Sequence, residues 1–294
     1  MAASHATGMP KNALLRYRVA PFFCRDRMSF PRFLALLLLA FAPAASAIVI
    51  RDDVPDARYR VAPDEFPALV DLPHEGHGVL IGPQWVVTVA HAVQGSDLGE
   101  ICLAGRTRAV AEVIVHPAYR RPDSSLESGD AAPLIAAIAA SDDIALIRLA
   151  EPVDDVKPVA LFRGNGEEGR QAKLLGAGAS GDGRRGQDAQ SPHRTALRRA
   201  YNRITNAQGR WLAYRFDSGS AALPLEGTLG NGDSGGPVLL RQDGAWKLAG
   251  LASWKFVAGD LADFRPGLYG QISYQVGLSH YAGWIAEVIV ARDE

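Results

Sequence analysis

Residues 230–237 read Gly-Asn-Gly-Asp-Ser-Gly-Gly-Pro, a serine at 234 with glycines at 232, 235 and 236. Backbone amides approach a substrate carbonyl closely only where side chains are absent, so Gly232 and Ser234 are candidates for an oxyanion hole and Ser234 for a nucleophile. Taken alone, such a stretch is more often a turn. Upstream, Trp85-Val-Val-Thr-Val-Ala-His-Ala92 ends a hydrophobic run at His91, and Asp142-Asp-Ile-Ala-Leu-Ile-Arg-Leu149 opens another run with an acid. A serine is a weak nucleophile at neutral pH and needs a base such as histidine, which in turn needs an acid to fix its tautomer. Each of these residues alone has an ordinary structural explanation: a core histidine, a turn aspartate. In the chain order His91, Asp143, Ser234 they form a constellation with a known chemistry.

Two other chemistries fit parts of the sequence. Gly232-Asp-Ser-Gly-Gly236 also satisfies the G-x-S-x-G elbow of α/β-hydrolases, which needs a strand–turn–helix context and the order Ser, acid, His. Residues 237–244 run straight into a turn, and His280 is the only histidine downstream, so that reading fails. His74 and His77 in His-Glu-Gly-His resemble a metal pair, but the spacing is not i, i+4 and Gly76 implies a loop. No cofactor or metal is expected.

The elements around these residues read as strands. Residues 79–89, 109–115, 144–149, 238–240, 246–253 and 268–272 are short, rich in β-branched or apolar residues, and bounded by Gly, Pro or Asp. Many short strands with turns between them favour an all-β sandwich or barrel. Residues 176–192, crowded with Gly, Asp, Ser and Arg, read as a loop between the halves. Near the end, Tyr281, Trp284, Ile285 and Val288 fall on the stripe of an amphipathic helix, expected to pack on the body rather than on a membrane.

With 294 residues, 48% hydrophobic and 21% charged, the chain can bury a substantial core. The one long apolar run, Phe33–Ala42, is shorter than the roughly 20 residues that span a bilayer. Arg25, Arg27 and Arg32 precede it and Pro43-Ala-Ala-Ser-Ala47 follows, the pattern of an export leader cut after Ala47. Met28 alone would open a compact leader, so residues 1–27 are either an extended n-region or an over-long start. Export to the periplasm or medium is expected, with no membrane span remaining. Without residues 1–47 the chain keeps 25 basic and 31 acidic residues, a net charge near −6 that gives no footing for nucleic acid. Cys24 would leave with the leader, so Cys102 is expected to be unpaired, an inert strand residue in Glu-Ile-Cys-Leu-Ala.

Three separate motifs, Thr88-Val-Ala-His91, Asp143-Ile-Ala-Leu146 and Gly232-Asp-Ser-Gly-Gly-Pro237, resemble those of the chymotrypsin/trypsin-like serine peptidases, with weaker echoes in His116-Pro-Ala-Tyr119, Ser253-Trp254 and Pro266-Gly-Leu-Tyr269. The resemblance covers essentially all of the chain after the leader. It implies two six-stranded antiparallel β-barrels, about residues 48–160 and 161–275, followed by a C-terminal helix at about 277–291. It implies a serine endopeptidase acting on protein or peptide substrates through a His-Asp-Ser triad, and open to a protein inhibitor, with Ser253 supporting Asp143.

The resemblance also implies that a new N-terminus at Ile48-Val49 pairs its amine with Asp233, so that leader removal itself would activate the enzyme. Ile50-Arg51 stands where the family has two glycines, and cutting after Arg60 to expose Val61 is the competing route. Thr228, six residues before Ser234, replaces the pocket acid of Lys/Arg-specific members. Trp254 and Gly267 match pocket-wall positions, and Lys255 replaces a rim glycine, which would narrow the pocket for small or medium neutral side chains or attract an acidic one. The neutral preference is the expectation, and the Ala-rich insertion 131–140 is expected to overhang the cleft. The rival reading is a catalytically silent binding protein on the same fold, but such proteins lose a triad member or an oxyanion glycine, and this sequence keeps both.

Overall fold

The computed structural model describes residues 48–188, 190–191 and 196–293; the expected leader lies outside them. In chain order the strands are β1 (Ile48–Ile50), β2 (Leu69–Asp71), β3 (His77–Gly82), β4 (Trp85–Thr88), β5 (Glu100–Leu103), β6 (Arg106–Val115), β7 (Ala145–Leu149), β8 (Gln171–Gly176), β9 (Ser180–Asp182), β10 (Gly186–Gln187), β11 (Arg198–Gln208), β12 (Trp211–Arg215), β13 (Gly227–Thr228), β14 (Pro237–Gln242), β15 (Ala245–Lys255) and β16 (Ile272–Gly277). Three α-helices join them: α1 (Ala90–Val93), α2 (Ala131–Ala140) and α3 (Leu278–Asp293). Two closed six-stranded barrels result, β2-β3-β4-β7-β6-β5 and β11-β12-β16-β15-β14-β8, each antiparallel throughout, as the resemblance implied.

The barrels form because their strands are short, β-branched and apolar on the inward face, and closure leaves no sheet edge unpaired. Val79, Val87, Ile101, Leu146 and Ile147 fill the first; Ile204, Leu212, Tyr214, Val238 and Leu240 fill the second. The two ends of the described chain cross over. β1 joins the second half, parallel to β9 and antiparallel to β13, while α3 returns to the first barrel. Leu278, Tyr281 and Ile285 are buried, and the Trp284 ring meets His116 edge-on at 4.8 Å. Among the described residues no helix is long and apolar enough to cross a membrane.

Three expectations need correction. Residues 79–89 are two strands of a hairpin turned at Gly82-Pro83-Gln84, because a proline cannot continue the ladder. Residues 268–271 form a turn, tied by the Gln271 side chain to the amides of Gly267 and Leu268, and the strand begins only at Ile272. The described residues of 176–192 are not a loop between the halves: they lie within the second half and carry β9 and β10, where Gly181 packs so closely on Gly186 that a Cβ would sit 2.2 Å from its carbonyl oxygen. Cys102 is disulfide-bonded, its partner outside the described residues. The expected unpaired thiol is a statement about the chain without residues 1–47, from which Cys24 is gone.

Asp142 anchors α3. Its Oδ1 accepts from Tyr281 Oη at 2.6 Å and lies 3.0 Å from Arg210 Nη1. Removing a donor to a buried carboxylate costs more than an average hydrogen bond. Tyr281→Phe is expected to lower stability by about 1.5 kcal/mol, measured as a shift of the urea midpoint with unchanged slope.

Candidate active site

Ser234 is held by what lies beneath it. The Asp233 side chain is fully buried, with Oδ1 accepting from the Gly178 amide and Oδ2 from the Gly230 amide, both at 2.7 Å. Glycine is required at the contact: a Cβ on Gly176 would lie 2.2 Å from Asp233 Oδ1. Burial pushes the Asp233 carboxyl up to about 6, against the pull of these amides and of the Lys255 ammonium. With the carboxylate turned inward, the backbone turns outward. Gly232 takes φ +84°, and among the described residues neither the Gly232 nor the Ser234 amide donates a hydrogen bond within the protein. Both residues line one cavity. The first barrel braces the turn from the other side, with the His77 amide donating to the Ser234 carbonyl at 2.7 Å.

His91 sits on α1, directly after β4, and Asp143 directly before β7; these strands pair in register, Thr88 opposite Ala145, which brings the two side chains together. His91 Nδ1 is 2.7 Å from Asp143 Oδ2, the His91 amide donates to Asp143 Oδ1 at 2.9 Å, and Nε2 is 2.8 Å from Ser234 Oγ. Ser253 Oγ donates to Asp143 Oδ2 at 2.6 Å. Burial opposes the charged form of His91, but the charge and hydrogen bond of Asp143 outweigh it and hold the imidazole above its ordinary value. Burial likewise pushes Asp143 up, and it is overcome by the charge of His91, by hydrogen bonds from His91 and by the Ser253 hydroxyl, so that the carboxyl lies below its usual range. This geometry can move a proton from Oγ to Nε2 while the acid stays ionised.

The cavity at Ser234, about 400 Å³, is lined on the second-barrel side by Leu229, Trp254, Lys255, Ser273 and Gln275, and across the serine by His74 and Glu75. Thr228 stands behind this wall, its Oγ1 2.8 Å from Ser273 Oγ. Gly267 is not brought to the cavity; a Cβ there would press on Val49 and the Gln187 amide. Sequence reasoning missed Ser273 and Gln275, which no local motif marks; the pairing of Lys255 with Ser273 across β15 and β16 brings them there. The insertion is helical, and α2 bridges the barrels, its last carbonyls accepting from Trp211 Nε1 and Arg210 Nη1. Ile138 of α2, with His91, Tyr119 and Trp254, lines a small apolar hollow beside the triad residues. His74 and His77 diverge, His74 into the cavity and His77 into the buried start of β3, where Nε2 is 3.9 Å from Asp233 Oδ1. Among the described residues no three His, Cys, Asp or Glu side chains cluster as metal ligands.

Comparison with known proteins matches this arrangement to a family. The trypsin family model covers residues 57–284. Vitamin K-dependent protein C of Mus musculus is 29% identical over 232 residues, which are 70% of this chain and 46% of that protein. The atrial natriuretic peptide-converting enzyme of Mus musculus is 26% identical over 251 residues, 77% of this chain and 20% of that protein. This chain therefore spans less than half the length of these curated relatives. Among solved structures, neuropsin, a serine protease expressed in the limbic system of mouse brain, superposes with TM-score 0.58 at 22% identity, over 79% of this chain and 98% of its own, a likeness of fold. The chain belongs to the trypsin family.

Proposed function

We propose that this chain is an exported serine endopeptidase in which Ser234 attacks the scissile carbonyl, His91 takes the Oγ proton and returns it to the leaving amine, and Asp143 orients and stabilises the imidazolium. The single observation that carries the reading is the unbroken relay of 2.7 Å and 2.8 Å from Asp143 through His91 to Ser234. The free amides of Gly232 and Ser234, facing the same cavity, supply the oxyanion hole. A silent binding protein has no use for this relay, nor for two unpaired amides beside a hydroxyl. Thr228 gives the pocket no acid in place of the one that recognises Lys or Arg, so cleavage after those residues is not proposed.

Leader removal after Ala47 is the proposed activating step. Ile48 and Val49 are fully buried, and β1 is clamped against the segment that carries Gly178, the residue whose amide holds Asp233. In the uncleaved chain Ile48 takes φ +63°, a costly conformation for a β-branched residue. Cutting the preceding peptide bond abolishes that dihedral and frees an amine that would keep Asp233 ionised. Val61, by contrast, is already engaged as a donor to Leu197.

Casein or a mixed peptide library, with fragments read by mass spectrometry, tests the activity. Ser234→Ala is expected to lower kcat by about 10⁶-fold and Asp143→Asn by about 10⁴-fold. Because His91 acts only when neutral, kcat/KM should fall as pH drops, with its midpoint above the ordinary imidazole value of about 6.5; a profile flat from pH 5 to 8 contradicts the assignment of this base. One extra residue before Ile48 should cost about 100-fold or more in kcat, the consequence of leaving a buried charge unpaired; full activity of such a variant rules out the activation step.

A further inference from the structure

The wall of the cavity opposite Glu75 is built from hydrogen-bond donors. Lys255, at the end of β15, is half-buried and lines the cavity with Ser234. Among the described residues its ammonium makes no hydrogen bond and no ion pair. Asp233, the charge that acts on it most, has both oxygens taken by the Gly178 and Gly230 amides. Gln275 is 1% exposed and lines the same wall, yet neither end of its amide has a hydrogen-bond partner among the described residues, Oε1 being fully buried. A buried amide left unpaired is costly, and an acceptor in the cavity would satisfy its Nε2 hydrogens. The third group is the Ser273 hydroxyl, 2.8 Å from Thr228 Oγ1 and also bonded to the Tyr214 hydroxyl; a hydroxyl hydrogen rotates, so Ser273 can turn it to a ligand in the cavity.

Two donors without a partner among the described residues, one of them charged, and a hydroxyl beside them line the cavity together with Gly232 and Ser234. A carboxylate has two oxygens with about four acceptor sites and the charge opposite to that of Lys255. We infer that the residue on the acyl side of the cleaved bond is acidic, glutamate or aspartate, its carboxylate received by Lys255, Gln275 and Ser273. This inference rests on the endopeptidase reading and replaces the expectation of a neutral side chain. A lysine or arginine in the same place would be repelled by Lys255, and a small neutral residue would leave the Lys255 ammonium and the Gln275 Nε2 hydrogens without an acceptor.

The test uses the chain expressed with its leader and recovered after export, assayed on matched fluorogenic peptides that differ only in the residue before the cut: Glu, Asp, Gln, Ala or Lys. The expected result is a kcat/KM for Glu or Asp about tenfold or more above that for Gln, with Lys the poorest. Lys255→Gln should bring the Glu-to-Gln ratio close to one, and Gln275→Leu should lower it; because each ratio is taken within one variant, loss of folded protein cancels. Addition of salt should also lower the wild-type ratio. If peptides are cleaved, with the activity lost in Ser234→Ala, but Gln, Ala or Lys is preferred to both acids, or the ratio survives Lys255→Gln, the acidic preference is wrong and the peptidase reading stands. If none of the five peptides is cleaved, the peptidase reading falls and this inference falls with it.

Discussion

The site depends on a carboxylate kept out of water. Asp233 is fully buried, and the two amides that receive it, Gly178 and Gly230, belong to segments that must come within van der Waals distance of it. A buried carboxylate is expensive unless satisfied, so the chain has one arrangement in which its cost is met. That arrangement fixes the turn 230–236: the Asp233 side chain is buried, the Gly232 and Ser234 amides donate to no group among the described residues, and Ser234 Oγ comes to 2.8 Å from His91. The glycines at 176 and 178 contribute by having no side chain where the carboxylate lies. Burial pushes the Asp233 carboxyl up to about 6, and the amine proposed at Ile48 would act against that shift.

The second requirement is that parts from two barrels meet. His91 and Asp143 come from the ends of paired strands in the first barrel, Ser234 and Ser253 from the second. The neighbouring aspartates have separate partners, since Asp143 receives His91 and Ser253 while Asp142 receives Tyr281 of the terminal helix and Arg210 of the second barrel. The same two-residue stretch thus orients His91 and fastens the barrels together. The crossing termini and α2 add further straps, with β1 on the second half, α3 on the first, and α2 bonded to β12.

Much of this was legible in the sequence because the chemistry is local. Thr88-Val-Ala-His91 and Gly232-Asp-Ser-Gly-Gly236 each place a reactive group and its backbone requirement within a few residues, and the alternation of apolar residues marks the barrel strands. The stripe Tyr281, Trp284, Ile285 and Val288 likewise announced α3. What failed was what depends on distant pairing. Gly267 was assigned to the pocket from a four-residue echo, but the cavity is reached one strand later, where Ser273 pairs with Lys255. Ser273 and Gln275 look like ordinary strand polars until that register is known. The run 176–192 looked like a loop because glycine and charge dominate it, yet its glycines permit the close approach by which β10 pairs with β9, and β9 with β1, in one sheet.

The most direct measurement is reaction of the exported protein with a fluorophosphonate probe, its N-terminus verified at Ile48, followed by tandem mass spectrometry of the labelled peptide. The expected result is one adduct, on Ser234, absent from Ser234→Ala and strongly reduced in Asp233→Asn. Failure of that protein to react, or an adduct on any residue other than Ser234, would contradict the account.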